Sequence, residues 1–364
     1  MHKTSAWPLA LVYFGLIVYA SLYPFSLWRD QGVAPWLFWM APWPRYWTRF
    51  DVMANVLGYV PLGFLLALSA LRTGRVRFAF SSAFLVTMGL SFTLESLQVF
   101  LPDRVPSNLD LVLNTAGGAL GAALAMIMEK SGVLQRWSRF RADWFIEESR
   151  GALVLLALWP VALLFPTAVP FGLGQVMERL EMALAELLAD SHFVEWLPLR
   201  EVELQPLTFG AEWLCVVLGV LIPGLLGFCV IERRIKRIWF LLWMVTLGVG
   251  ATGLSAALSF GPEHAWDWLV TPVEVALTTA LLILLVFLWL QQRSAAAFSV
   301  LALGVYLSLL NQTSTGPYFE QTLFMWEQGR FIRFHGLAQW LGWLWPFAAL
   351  VYVLSLVWHK DSKN

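Results

Sequence analysis

Ten long apolar runs constrain this chain more than any other feature of its sequence. A helix needs about 20 apolar residues to cross the hydrocarbon core of a bilayer. Only 13% of the residues are charged and 59% are apolar, whereas soluble domains carry about 25% charged residues. The runs lie near residues 8–25, 51–71, 78–101, 109–129, 152–170, 209–231, 238–259, 271–291, 296–311 and 337–358. The sequence therefore predicts an all-α, polytopic transmembrane bundle of about ten spanning helices.

Positive charges predict the orientation of these helices. If the N-terminus lies in the cytoplasm, the inner segments carry 16 Lys and Arg residues and the outer segments carry 8. Cytoplasmic loops of multi-pass proteins are enriched in these residues. We therefore predict a multi-pass protein of the cell (inner) membrane, with both termini in the cytoplasm.

The charged residues also divide the chain. A charged cytoplasmic connector at 130–150 separates a four-helix membrane unit, residues 1–129, from a six-helix unit, residues 151–364. The six-helix unit carries two long outer loops, at 171–208 and 312–336. We expect one amphipathic surface helix in the first of these loops, because its apolar residues recur at helical spacing.

Several classes of partner and cofactor lack support in the sequence. The formal net charge is zero, so no basic surplus is available to neutralise the phosphates of a nucleic acid. Cys215 and Cys229 lie in one apolar run without a CxxC motif, and the five histidines are scattered. We therefore predict no nucleic-acid partner, no metal site and no cofactor, and the sequence leaves the oligomeric state open.

Polar residues interrupt or border three of the first four runs and are predicted to meet at the outer face. Two acid–amide pairs have i, i+4 spacing, one pair has i, i+3 spacing, and an arginine lies in the connection between two of the runs. These seven residues are Asp51, Asn55, Glu95, Gln98, Arg104, Asp110 and Asn114. Gly117 and Gly121 form a GxxxG motif, which predicts close helix packing beneath them.

Polar groups at such positions favour a functional site. An ionised side chain near the bilayer centre costs roughly 2.5–3.5 kcal/mol, and such groups usually mark a pathway or a binding site. We predict that the seven residues bind a ligand, and Glu95, Asp51 and Asp110 are the candidates for acid–base catalysis. The alternative is a structural role, in which interhelical hydrogen bonds worth about 0.6 kcal/mol each hold the packing.

The order of these residues resembles that of the VanZ-like membrane proteins, a family named for a teicoplanin-resistance protein. The resemblance covers about residues 8–128 and includes the SLYPF sequence after the first run. It implies a role in the cell envelope and a link to antibiotic resistance, and it supplies no reaction. It also implies that the core positions of the family are Asp51, Glu95, Arg104, Asp110 and Asn114.

The sequence is compatible with three functions. The first is binding or handling of an anionic envelope lipid, a lipid-linked sugar or a glycopeptide-type antibiotic by an outward-facing polar site. The second is a metal-independent membrane enzyme that uses Glu and Asp chemistry on a lipid-linked substrate. No nucleophile elbow, HExxH pair or phosphate loop supports this enzyme. The third is a non-catalytic scaffold, and membrane lipids are expected partners in each case.

Overall fold

The computed structural model describes residues 6–361 except 24, 26–27, 103, 190–206 and 314–331. The chain divides into two compact units, residues 1–141 and 142–364, and the division falls inside the predicted connector. Most of the predicted outer loop 312–336 and the second half of the loop 171–208 lie outside the described residues.

The first unit is built from four antiparallel helices and a fifth that begins near its end. They are α1 (Ala6–Leu22), α2 (Arg49–Arg72), α3 (Ala79–Gln98), α4 (Asn108–Lys130) and α5 (Val133–Trp144). Short connections between α2, α3 and α4 force each helix to return beside the previous one. Ser107 begins α4 as its N-cap, because its hydroxyl accepts from the backbone N–H of Asp110 at 3.4 Å.

Small residues let α2, α3 and α4 approach closely. A Cβ added to Gly121 would collide with the carbonyl of Val60, and one added to Gly117 would collide with the carbonyl of Val56. The structure thus has the close approach that GxxxG predicts. Five alanines form a fully buried layer between the same helices, namely Ala67, Ala79, Ala83, Ala122 and Ala125.

The second unit surrounds one deeply buried helix. Its helices are α6 (Arg150–Ala162), α7 (Met177–Leu187), α8 (Phe209–Phe228), α9 (Arg234–Phe260), α10 (Thr271–Val286), α11 (Gln292–Asn311) and α12 (Ile332–Asp361). Every residue of α8 from Cys215 onward is buried, and the helix packs against α6, α9, α10 and α11. The amphipathic helix α7 lies in the loop where the sequence predicts a surface helix.

Each of the ten predicted runs contains a helix, so a helical membrane bundle describes this chain. Within the described residues, eight helices are long and apolar enough to cross a membrane. The other two apolar helices are shorter, with 17 residues in α1 and 13 in α6. A helix of 13 residues spans about 20 Å, which is less than the roughly 30 Å hydrocarbon core.

The chain after α6 differs from the expected helix. The sequence run 152–170 continues to its end without a charge, but the helix ends at Ala162 and irregular backbone follows to residue 176. Pro166 and Pro170 explain the break, because a proline disfavours the helical conformation of the residue before it. Much of the segment is nevertheless buried, including Phe171 and Leu173.

Side chains of α11 satisfy the backbone of this buried segment. The hydroxyl of Tyr306 accepts from Leu173 N at 2.6 Å and donates to Phe171 O at 2.5 Å. Asn311 Oδ1 accepts from the backbone N–H groups of Val176 and Met177, each at 3.0 Å. Non-helical backbone inside a membrane protein needs such internal partners, because lipid offers none.

Replacing Tyr306 by phenylalanine is expected to lower the free energy of unfolding by about 1–3 kcal/mol, because it leaves a buried donor and a buried acceptor unpaired. Thermal unfolding in detergent, followed by size-exclusion chromatography, measures the change. Tyr46→Phe is the matched control, since the Tyr46 side chain is 94% exposed. Equal melting temperatures for the two variants would contradict the role of Tyr306.

Candidate polar site in the N-terminal unit

Three neighbouring helices each contribute two polar residues at i, i+4 spacing to one region of the first unit. This region lies where α2 and α4 begin and α3 ends. Because residues four apart share a face of a helix, each pair points to the same side. The six residues are Asn55 and Tyr59 on α2, Ser91 and Glu95 on α3, and Asp110 and Asn114 on α4. We call them the polar centre.

Hydrogen bonds connect these residues across the helices. Asn55 Nδ2 donates to Asp110 Oδ1 at 2.9 Å, which joins α2 to α4. Asn114 Nδ2 donates to Ser91 Oγ at 3.0 Å, which joins α4 to α3. The Tyr59 side chain interacts with Ser91 and lies within electrostatic range of the two acids of the polar centre.

The Glu95 carboxylate lies at the N-terminus of α4. Glu95 is 4% exposed, and its Oε2 accepts from the backbone N–H of Ser107 at 2.8 Å. The hydroxyl of the same serine accepts from the backbone N–H of Asp110. The positive end of a helix dipole stabilises a nearby negative charge, so α4 offers Glu95 a favourable position despite its burial.

One buried oxygen atom of the polar centre, and one of the residue that follows it in α4, have no hydrogen-bond partner among the described residues. Asn114 Oδ1 and Thr115 Oγ1 make no hydrogen bond within the described part of the chain. Asn114 is 5% exposed, so its oxygen is also shielded from bulk solvent. Buried polar atoms are nearly always paired with protein, water or a ligand. Asn114 Oδ1 therefore has the capacity to accept from a donor that is not part of the protein.

The other three predicted site residues have local partners at the edge of the polar centre. Asp51 Oδ2 accepts from the backbone N–H of Thr48 at 3.0 Å in a capping box at the start of α2. Gln98 Nε2 donates to Ser21 O at 3.2 Å, and Arg104 Nη2 donates to Tyr23 O at 2.8 Å. These bonds tie the ends of α2, α3 and the following loop in place.

Two members of the polar centre were not among the seven candidates from the sequence. Tyr59 follows Asn55 by four residues, and Ser91 precedes Glu95 by four. Both residues lie at helical spacing from a candidate residue. Tyrosine and serine are common in membrane helices, however, so neither residue type by itself indicates a site. Their partners across the helices are what mark them as part of the site.

The segment between α1 and α2 is fastened to the same end of the unit. Arg29 N donates to Phe100 O at 3.0 Å, and Gln31 Nε2 donates to Val99 O at 2.7 Å. Asn108 Nδ2 donates to the carbonyl of Ala41 in this segment at 2.6 Å. Five tryptophans of the segment are exposed, namely Trp28, Trp36, Trp39, Trp43 and Trp47.

The chemistry of the site is that of carboxylates, amides and hydroxyls. Within the described residues, no three His, Cys, Asp or Glu side chains converge in a way that would hold a metal ion. The side chains present offer hydrogen-bond acceptors and negative charge at the centre, with one arginine at its edge. Such a set suits a ligand that donates hydrogen bonds.

Comparison with known proteins agrees with the resemblance seen in the sequence. Residues 6–129, about a third of the chain, match the family model VanZ/LLP1. No match was found among curated proteins or among solved structures. The matched range contains α1 to α4 and every residue of the polar centre. Residues 6–129 of this membrane protein are therefore similar to the VanZ/LLP1 family.

Proposed function

We propose that the polar centre binds the headgroup of an envelope amphiphile, such as a lipid-linked sugar or a glycopeptide-type antibiotic. The observation that carries this proposal is the unpaired Oδ1 of Asn114. It is buried between α2, α3 and α4, where an acceptor without a donor costs roughly 1–3 kcal/mol. A hydroxyl or ammonium group of a ligand removes that cost.

The charges of the site favour the same class of ligand. Glu95 and Asp110 place carboxylates beside the unpaired amide oxygen, and both accept hydrogen bonds. Sugar hydroxyls and amines are donors for all three groups. Arg104 lies at the edge of the centre, where its guanidinium is suited to the phosphate of a lipid-linked sugar.

Native mass spectrometry of the protein released gently from its membrane tests the proposal. Asn114→Leu keeps the volume of the side chain and removes its polar atoms. We expect the wild-type protein to retain an amphiphile. The amount that the variant retains is expected to be at least about tenfold lower, because one buried hydrogen bond is worth about 1.4 kcal/mol or more. Val112→Ala, a change at an exposed residue of the same helix, is the matched control.

Two results would contradict the proposal. One is the same set of retained lipids in wild type and in Asn114→Leu. The other is loss of the amphiphile in Val112→Ala as well, since a general disturbance of α4 would then explain the effect. Size-exclusion profiles of all three proteins show whether each is folded.

A catalytic role is the second candidate, and the bridge through Ser107 favours it. This serine contacts the Glu95 carboxylate and the backbone of Asp110, and both acids lie within electrostatic range of Tyr59. Carboxyl groups close to a bound substrate can exchange a proton with it. Glu95→Gln separates the functions. If the protein is a catalyst, the variant loses turnover of the bound amphiphile and keeps binding it. A binding protein shows no turnover in the wild type or in the variant, and a scaffold retains no amphiphile in either of them.

A further inference from the structure

Basic side chains gather at the end of the first unit that lies away from the polar centre. Here α2 and α4 end and α3 begins. Residues 72–78 and 129–141 together contain seven Lys and Arg residues and one carboxylate. We call these two segments the basic collar. Its excess of six positive charges is large for a protein whose formal net charge is zero.

The position of α5 in the collar is fixed by the end of α2. Arg72 Nη2 donates to Leu134 O at 3.3 Å and to Ser138 Oγ at 3.2 Å. Leu134 is 4% exposed, so one face of α5 is held against the bundle. These contacts fix which face of the short helix is turned towards the bundle.

The exposed residues of α5 combine aromatic and basic side chains. Trp137 is 53% exposed and Phe140 is 42% exposed, and their rings stack with centroids 5.6 Å apart. Arg136 and Arg139 lie beside them and are also exposed. Exposed tryptophan and phenylalanine flanked by arginines are typical of helices that lie in the plane of the membrane interface.

The second segment of the collar repeats this combination. Arg75 and Arg77 flank Val76, which is 56% exposed, and Phe78 beside them is 66% exposed. These residues form the turn between α2 and α3, so they are at the level where two membrane helices end. Two separate segments of one surface therefore present exposed apolar side chains together with positive charge.

We propose that the basic collar binds anionic phospholipids of the leaflet that surrounds it. Trp137, Phe140 and Phe78 enter the boundary between headgroups and acyl chains, and the arginines attract the phosphates. Each Lys or Arg near an anionic membrane surface adds to the attraction, and the effect falls off within a Debye length. In the predicted orientation of the chain this is the cytoplasmic leaflet. The inference rests only on the collar and is independent of the ligand of the polar centre.

Lipid titration followed by native mass spectrometry tests the collar. The full chain in detergent is titrated with phosphatidylglycerol and, separately, with phosphatidylcholine. We expect tighter binding of phosphatidylglycerol, and we expect Arg136→Gln combined with Arg139→Gln to raise its Kd by about tenfold. The variant with lysine at both positions keeps the charge and is expected to stay within about threefold of wild type.

A second measurement separates a membrane surface from other partners. The two native cysteines of the described chain are buried, so a nitroxide attached to Trp137→Cys reports on this position. In vesicles containing phosphatidylglycerol we expect the label at the boundary between the headgroups and the acyl chains. A fully aqueous label, or equal Kd values for the two lipids in wild type, would overturn the proposal and point to a soluble anion or a protein as the partner.

Discussion

The substitution Gly63→Ala is expected to destabilise the first unit more than a methyl group added at any other position of α2. The Cβ of an alanine would collide with the carbonyl oxygen of Gly118 and lie 2.6 Å from its carbonyl carbon. These are backbone atoms of α4, so no side-chain rotation relieves the contact. The two helices must separate, which weakens the packing on which membrane helix association depends. We expect a loss of about 3 kcal/mol or more, beyond the usual cost of overpacking a core.

Gly58 provides the control for this prediction on the same helix. A Cβ at Gly58 meets nothing within 4 Å. Gly58→Ala is therefore expected to leave stability unchanged or to raise it slightly, since alanine favours the helix by up to about 1 kcal/mol. Melting temperatures from size-exclusion chromatography in detergent measure both variants. A Gly63→Ala protein as stable as Gly58→Ala would show that α2 and α4 are not in the close contact described.

The sequence is sufficient to place the helices, because a bilayer requires long apolar runs and excludes most alternatives. It also predicts the close approach at Gly117 and Gly121, because only small residues allow backbones to meet. The polar groups of α2, α3 and α4 are likewise visible as exceptions in apolar runs. Asn55, Glu95, Asp110 and Asn114 are brought to one region of the structure from three different helices.

The partners of polar groups could not be predicted in the same way. Asp51 has the spacing of a site residue, yet its carboxylate completes a capping box with Thr48. The pattern Thr48-x-x-Asp51 before an apolar run is also the signature of a capping box, so the sequence is compatible with both roles and does not choose between them. The irregular segment after Ala162 is a similar case, because its stability depends on Tyr306 and Asn311, more than 130 positions later in the chain.

Arg237 shows a further limit of arguments from sequence. In a count of charges it is one of four basic residues in the inner segment 233–237 and supports the predicted orientation. In the structure it is 3% exposed. Its Nη1 donates to Leu288 O at 2.9 Å and to Leu290 O at 2.7 Å, and its Nη2 donates to Phe228 O at 3.0 Å. A charge that the sequence assigns to a connecting segment is therefore buried inside the second unit.

The bonds of Arg237 join the ends of two helices. Its Nε also donates to Ile231 O at 2.9 Å, just after α8, while the carbonyls of Leu288 and Leu290 follow α10. The last carbonyls of a helix have no partner within it and carry the negative end of the helix dipole. One planar guanidinium with several donors in a fixed arrangement satisfies four carbonyls, that of Phe228 at the end of α8 and those of Ile231, Leu288 and Leu290 just beyond α8 and α10.

Arg237→Met is accordingly expected to cost about 3 kcal/mol or more, because hydrogen bonds to charged groups contribute roughly 1.5–3 kcal/mol each and buried acceptors are left unpaired. Arg237→Lys keeps the charge but cannot reproduce the planar array, so we expect an intermediate loss. Arg234→Met is the control: this neighbour is exposed, and its guanidinium lies over the ring of Trp289 as a cation–π partner. Its loss should stay below about 1 kcal/mol. If melting temperatures of the methionine variants at 234 and 237 were equal, the carbonyls near the ends of α8 and α10 would not depend on this arginine, and Arg237 would be only one more charge of the segment 233–237.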